Sequence, residues 1–249
     1  MCFSQDMYEI RYRLQYVSDT ESSLIKVEDF YLFSNGQNHS YFLSENFYAL
    51  DSIKQSIARK GLGALNLSKV PKTKFNYIIE KKLAEKQVAF YDNILKYKLA
   101  YVEQPAYNWI IHNEKKSISN FECTKATLNY YGRKWTAWFT NDIPINDGPY
   151  KFAQLPGLII KLYDLENSFD FELVALKKNK NNNHKAEMNK KLNTYKMVTK
   201  TAYLEAVKNI NKNIVNELST IGITLDSEAQ NRLQKKGING NNQIELIAE

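Results

Sequence analysis

The chain is poor in the residues that most often announce an activity. Of its 249 residues, 2 are cysteine, 3 histidine, 3 tryptophan, 5 proline and 9 glycine. Two cysteines exclude a disulfide-dense scaffold. His39, His112 and His184 lie far apart, and no HExxH, CxxC or clustered-carboxylate spacing joins them. That excludes the common zinc sites. Four methionines offer a copper thioether site little to build on. Neither a GxSxG elbow nor a phosphate loop is present. Gly61-Leu62-Gly63 is a weak echo of a dinucleotide loop. It follows a helical pattern and lacks the third glycine, so it reads as a helix C-terminal turn. The sequence therefore assigns no catalytic residue, no metal ligand and no cofactor. It also holds no apolar run long enough to cross a bilayer as a helix.

What is plentiful is aromatic and basic. A hydrophobic fraction of 43 % supplies a sizeable core, and 17 Tyr with 12 Phe favour pleated, half-buried surfaces. The formal net charge is +7. No ordered basic and aromatic motif of a nucleic-acid reader accompanies it, so the charge reads as solvated faces with no nucleic-acid partner. Peripheral contact with an anionic membrane surface stays open. Met1–Gln5, "MCFSQ", reads as the end of a signal peptide. For Cys2, lipidation, a disulfide with Cys123 and removal with a signal stay open. Cys123 itself reads as a buried small hydrophobe. A nucleophilic pair of Cys123 with His112 lacks an orienting third group.

Along the chain the period is mostly two. Tyr8, Ile10, Tyr12, Leu14 and Tyr16 alternate with polar residues, which predicts a strand with one apolar face. Phe30–Phe33 and Tyr41–Leu43 flank Asn35-Gly36 and predict a hairpin. Ser44 reads as the cap of a helix that stops at Gly61. Short strands follow at Phe75–Glu80, Val88–Tyr91, Tyr97–Val102, Trp109–His112, Cys123–Tyr131 and Arg133–Thr140, with a turn at Tyr131-Gly132. Two further alternating runs begin at Leu158 and Phe169. Near Lys177 the character changes to a polar, low-complexity stretch that reads as a linker or exposed loop. Thr199 or Thr201 then caps a helix whose broad apolar face runs from Tyr203 to Leu218, and Ser227–Lys236 is weakly helical. "NNQIELIAE" alternates like one last short strand.

The rare residues concentrate in one place. Gly132–Asp164 holds two of the three tryptophans and three of the five prolines. Gly148-Pro149 and Pro156-Gly157 read as two rigid corners between strands, because proline presets φ and glycine takes the positive φ of a type II turn. Those corners explain themselves without a ligand. The ligand-contact candidates left are Trp135, Trp138, Tyr150 and Phe152.

In its ordered run Gly132-Arg133-Lys134-Trp135-Thr136-Ala137-Trp138-Phe139, then Ile143-Pro144, Asp147-Gly148-Pro149-Tyr150-Lys151-Phe152 and Leu155-Pro156-Gly157-Leu158-Ile159, this stretch resembles the signature of the GLPGLI family of Bacteroidota proteins. Lys74–Lys81, "KFNYIIEK", and Asn241–Leu246, "NNQIEL", are similar to further family segments. Gln154 stands where the family motif has its first Gly, and Gln suits a positive φ poorly. The resemblance implies an exported protein of the periplasm, the outer membrane or the medium, of unassigned function and with no catalytic residue to carry over.

Pattern and resemblance together predict an α+β fold. Residues 1–6 are set apart as a signal-peptide remnant. Residues 7–176 form a predominantly antiparallel, curved sheet with one packed helix, and 177–249 form a basic, partly helical segment. A bent sheet with an apolar concave face is similar to carriers of lipidic ligands, by analogy of fold alone. The expected function is a non-enzymatic binding protein of the cell envelope, holding an apolar ligand, a peptide or a partner protein on an aromatic-rich sheet face. A hydrolase with an unrecognised site and a structural or assembly component are the alternatives.

Overall fold

The computed structural model describes residues 7–60, 70–179, 183–237 and 240–246. The expectations for residues 1–6, for Gly61-Leu62-Gly63 and for the His184 side chain lie outside the described residues. In chain order the elements are β1 (Met7–Val17), β2 (Ile25–Ser34), β3 (His39–Ser44), α1 (Glu45–Lys60), β4 (Tyr77–Lys82), β5 (Gln87–Ile94), β6 (Tyr97–Glu103), β7 (Ile110–Ile118), β8 (Phe121–Tyr130), β9 (Arg133–Thr140), β10 (Leu158–Asp164), β11 (Phe169–Asn179), α2 (Asn183–Leu192), β12 (Lys196–Met197), α3 (Lys200–Lys212), α4 (Ile214–Thr220) and α5 (Ser227–Lys236).

The strands form one sheet in the order β12-β6-β5-β4-β3-β2-β1-β11-β10-β9-β8-β7. Every pairing is antiparallel except β12 with β6. The connectivity forces the sheet to curl. Ten strand spacings separate β6 from β7, about 48 Å across a flat sheet. Yet only residues 104–109 join them, a reach of about 25 Å at most. The two ends must therefore swing toward each other, although no ladder closes them. The result is an α+β fold on a curved, unclosed and mostly antiparallel sheet.

Period two decides which side chains face the hollow. Ile10, Tyr12, Leu14 and Tyr16 of β1, Phe30 and Leu32 of β2, and Phe42 of β3 all join the core on the concave face. The opposite face carries a smaller cluster, in which Phe33, Tyr41, Leu43 and Ile78 of the sheet meet Phe47 of α1 and Met188 and Leu192 of α2. Ser44 caps α1 as expected, its Oγ accepting from Phe47 N at 3.1 Å.

Four local expectations need correction. The turn at Asn35-Gly36 is part of a longer loop, 35–38, in which the Asn35 side chain accepts from the backbone N–H of Gln37, Asn38 and His39. The polar stretch after Lys177 was expected as linker or loop. Its described parts extend β11 to Asn179 and form α2, because Met188 and Leu192, one turn apart, pack on the sheet. The long C-terminal helix breaks at Asn213, whose side-chain amide donates to Asn209 O at 3.1 Å and competes with the helical ladder. Residues 240–246 form no strand. Side chains of β9 and its turn hold them instead.

Candidate functional site

The segment between β9 and β10, residues 141–157, does not loop over the surface. It folds back under the concave face, where Ile145, Tyr150, Phe152, Ala153 and Leu155 are buried. A segment in that position needs its backbone polar groups answered by the sheet. Trp109 Nε1 donates to Ala153 O at 2.9 Å, and the Tyr107 hydroxyl donates to Lys151 O. The Tyr12 hydroxyl donates to Ile159 O at 2.6 Å from the middle of β1. From β4, the fully buried Lys81 places Nζ 2.5 Å from Asp147 Oδ1 and 2.6 Å from Gly148 O. Burial pushes the Lys81 ammonium below its usual pKa, and Asp147 opposes that shift.

Both corners need glycine for close approach. A Cβ on Gly157, at φ +145°, would sit 2.0 Å from the carbonyl oxygen of Thr140, and one on Gly148 would sit 2.5 Å from Ile159 Cδ1. Tyr150 and Gln154 hold φ of +53° and +69° without being glycine. Gln154 thus holds a left-handed conformation that glycine adopts more readily.

Next to these corners lies a buried charge cluster. Lys151 is fully buried, with Nζ 2.6 Å from Glu103 Oε1, 2.5 Å from Glu245 Oε1 and 2.8 Å from the Tyr101 hydroxyl. Its ammonium lies 4.8 to 5.8 Å from the ring centres of Phe90, Tyr101, Tyr150 and Tyr131. Burial alone would depress the Lys151 pKa, but Glu245 and Glu103 outweigh it and hold the group above its ordinary value. Lys200, in the first turn of α3, adds a contact of 2.6 Å to Glu103 Oε2. The Tyr150 hydroxyl donates to Glu245 Oε1 at 2.9 Å.

Glu245 belongs to the terminal stretch 240–246, which the motif hairpin also grips. Tyr131 and Gly132, with φ of +43° and +78°, form the two-residue turn between β8 and β9. Tyr131 O accepts from Leu246 N at 2.9 Å. Arg133 donates to Gln243 O and Asn242 Oδ1 while pairing with Asp164 at 2.7 Å. Three stretches that are remote in sequence therefore converge here: 74–81, 132–159 and 241–246.

Between the concave face, the terminal stretch and helices α3 and α5 lies a cleft of about 880 Å³. Aromatic rings line it, among them Phe75, Tyr77, Phe90, Tyr101, Tyr150 and Tyr203, together with a larger set of polar and charged residues. Asp92, Glu205 and Glu245 add carboxylates, and Lys74, Lys208, Lys212, Lys235 and Lys236 add amines. Asp92 accepts from the Tyr203 hydroxyl at 2.7 Å, a bond that ties α3 to β5. Burial pushes the Asp92 carboxyl up to about 6 against that bond.

Of the residues singled out in the sequence, Trp135, Trp138, Tyr150 and Phe152 are all buried at 5 % exposure or less. Phe152 contacts Trp135 and Tyr150, with ring centres 4.8 and 6.3 Å apart. Only Tyr150 of the four also lines the cleft. Cys123 is buried as expected, and burial raises its thiol to about 11. His112 contacts Thr127 and is not brought to Cys123. Periodicity overlooked Lys74, Asp92, Tyr203 and Glu245. The segments "KFNYIIEK" and "NNQIEL" were the available signal for the first and the last.

Comparison with known proteins adds a family and a fold. Residues 132–161 match the model of a family described as "Protein of unknown function (Porph_ging)". No curated protein matches. Among solved structures, PNGF-II in its P21 crystal form aligns over 83 % of this chain with a TM-score of 0.54 at 15 % identity. Its C2 form aligns over 78 % with a TM-score of 0.52 at 16 % identity. These alignments cover 34 % and 31 % of the PNGF-II chain, so this chain spans about a third of that length. A LolA superfamily protein from Nitrosomonas europaea aligns at 10 % identity and a TM-score of 0.29, over 70 % of this chain and 87 % of its own. Among the described residues no helix is long and apolar enough to cross a membrane.

Proposed function

We propose that this is a non-enzymatic binding protein of the cell envelope that holds an amphipathic ligand in the cleft beneath α3 and α5. One observation carries the reading. The three stretches that bear the family resemblance meet at one cleft, contributing Phe75 and Tyr77, Tyr150, and Gln243–Leu246 to its wall. A volume of about 880 Å³ lies within the usual size of small-molecule sites, and rings set among many polar and charged side chains suit an amphipathic ligand. Trp135 and Phe152 support that wall behind Tyr150. The envelope location rests on the GLPGLI resemblance of the motif.

The test is native mass spectrometry of protein purified from its own cells, followed by titration of the stripped protein with an apolar fluorescent probe. A co-purified small molecule, or saturable one-to-one probe binding that Tyr203→Trp blocks, supports the reading. Apo protein with no saturable binding sinks it. Fractionation of the same cells checks the location, and a cytosolic protein would overturn it.

A hydrolytic reading has one observation behind it. Asp92, raised to about 6 in the cleft wall, is poised to exchange a proton near neutral pH. Of the other carboxylates of the wall, Glu245 is already engaged by Lys151, Lys200 and Tyr150, and Glu205 is exposed on α3. Binding is therefore the better-supported function. An assembly role for the C-terminal segment would use the outward faces of α3 to α5, since Tyr203, Ile210, Ile214 and Leu218 are part of the core.

A further inference from the structure

The charges around the cleft are not balanced, and the imbalance names a ligand class. Of the lining carboxylates, Asp92 and Glu245 are answered within the protein, by Tyr203 and by Lys151 with Lys200, and Glu205 is exposed on α3, against five lysines in the same lining. Lys235 and Lys236, at the far rim, pair with Glu21 and Asp19. Lys74 differs. It lines the cleft where "KFNYIIEK" enters it, beside Phe75. No carboxylate among the described residues lies within ion-pair distance of its Nζ. The ammonium rests on rings instead, 4.8 Å from the centre of Tyr16 and 5.2 Å from that of Phe75. Lys208 and Lys212 of α3 line the same cleft, exposed and without a carboxylate partner among the described residues.

We infer that the ligand is an amphipathic anion, an apolar body carrying one carboxylate, with the Lys74 ammonium as the anchor of its head. The inference rests on the binding function proposed above. The geometry gives the head a cation with no carboxylate in contact, since Glu28 acts on it only at longer range and is itself held by Ser44 and Thr73, and it gives the body the rings of Phe75, Tyr77 and Phe90. Lys208 and Lys212 lie on the helix that covers the cleft and add to the attraction at its mouth. The state of Lys74 agrees. Burial, with Lys26 nearby, lowers it to about 8, so a bound anion would restore what the ammonium loses in the empty cleft.

Dodecanoate and dodecan-1-ol, equal apolar chains with and without a charged head, separate this inference from the binding function itself. Calorimetric titration of the stripped full chain should show dodecanoate binding about tenfold tighter than the alcohol, the size of one charge-assisted hydrogen bond. Lys74→Met keeps most of the aliphatic stem on the rings and should erase the difference, while Lys74→Arg should keep it. Circular dichroism of both variants shows whether each is folded. Should Lys74→Met fail to fold, wild type and Lys74→Arg alone decide the matter, read as the ratio between the two probes. Equal binding of both probes to wild type overturns the anionic head and leaves a neutral binding site. A preference that survives Lys74→Met overturns Lys74 as anchor. Binding of neither probe counts against the cleft as a binding site altogether.

Discussion

Two segments lie against the concave face, and they are built on opposite terms. The crossover 141–157 is a plug. Most of its side chains from Asp147 to Leu155 are buried, its corners admit no Cβ, and its buried carbonyls are taken by Lys81, Tyr107 and Trp109. Helices α3 to α5 form a cover. They are amphipathic, capped by Thr199 and Asp226, and solvated on their outer faces. They are tied down by a few bonds, such as Tyr203 to Asp92. A plug whose buried carbonyls are held by the surrounding side chains cannot bend to admit a ligand without stranding them. The cover is more exposed at its far end, where α5 buries no side chain, and that end can open at lower cost than the plug. The segment that matches a known family therefore props the sheet open, and the binding surface gains its other wall from the C-terminal third.

The sharpest break in this comparison would come at Gly157. Any side chain there meets the backbone of Thr140 at 2.0 Å, with φ at +145°. Gly157→Val should destabilise by more than about 4 kcal/mol, measured by urea unfolding, or leave the protein insoluble. In the cover, Gly222 has open space around a Cβ. Gly222→Ala should therefore cost only the strain of its positive φ, about 1 kcal/mol. If the two substitutions cost the same, the plug is not rigid and the contrast fails.

Next comes the buried pair Lys81–Asp147. Lys81→Met leaves Asp147 charged, fully buried and held only by Gly148 N, and should cost about 3–5 kcal/mol. Adding Asp147→Asn removes the stranded charge while keeping an acceptor for Gly148 N. The double variant should regain about 2 kcal/mol. A double variant no better than the single one would mean that Lys81 acts by filling space and not by pairing.

The plug and the cover were not equally legible in the sequence. Period two placed the strands because each side chain of the sheet either faces the hollow or does not, and Arg133–Thr140 came out to the residue. Pro-Gly chemistry placed the corners, although at the second the Gly157 N–H bonds Leu155 O in a three-residue turn, with Gly157 at φ +145°, and not in the type II turn expected. The caps at Ser44 and Thr199 were equally local. What a local reading could not reach was which way the crossover runs. Tyr150 and Phe152 look like aromatics offered to a ligand until the sheet is seen to curl over them. Periodicity could not reach the cleft either, because Lys74, Asp92 and Glu245 come from three distant segments, and only tertiary packing brings them to one wall.

At the seam between cover and sheet, Asp92 of β5 offers a test that reads pH. Its folded pKa near 6 lies above the ordinary 3.8, so the folded state holds a proton that the unfolded chain has released between those values. Stability must then fall as pH rises through that window, with the full cost present above it. Asp92→Asn keeps an acceptor for Tyr203 and removes the titration. It should stabilise the protein by up to about 3 kcal/mol at about pH 7 and by little at about pH 4, in paired thermal or urea melts. Only the difference from wild type counts, because burial also raises Glu28, Asp164 and Asp170. A difference that does not change with pH would place Asp92 in water and loosen the seam between cover and sheet.

The smallest effect belongs to the plug and asks how much strain it stores. Gln154 holds φ of +69° at the position where the resembled motif has glycine. A non-glycine residue there costs about 1–2 kcal/mol. Glycine would remove that cost but add about 0.5–1 kcal/mol of unfolded-state entropy. Gln154→Gly should therefore stabilise by about 0.5 kcal/mol, against a loss of at least that size for glycine at an ordinary position such as Gln230 of α5. If Gln154→Gly destabilises instead, the side chain does something there that backbone geometry does not require, and the plug has a contact still to be found. If it stabilises, the positive φ is set by the corners on either side, and Gln154 merely tolerates a conformation that Gly157 and its neighbours impose.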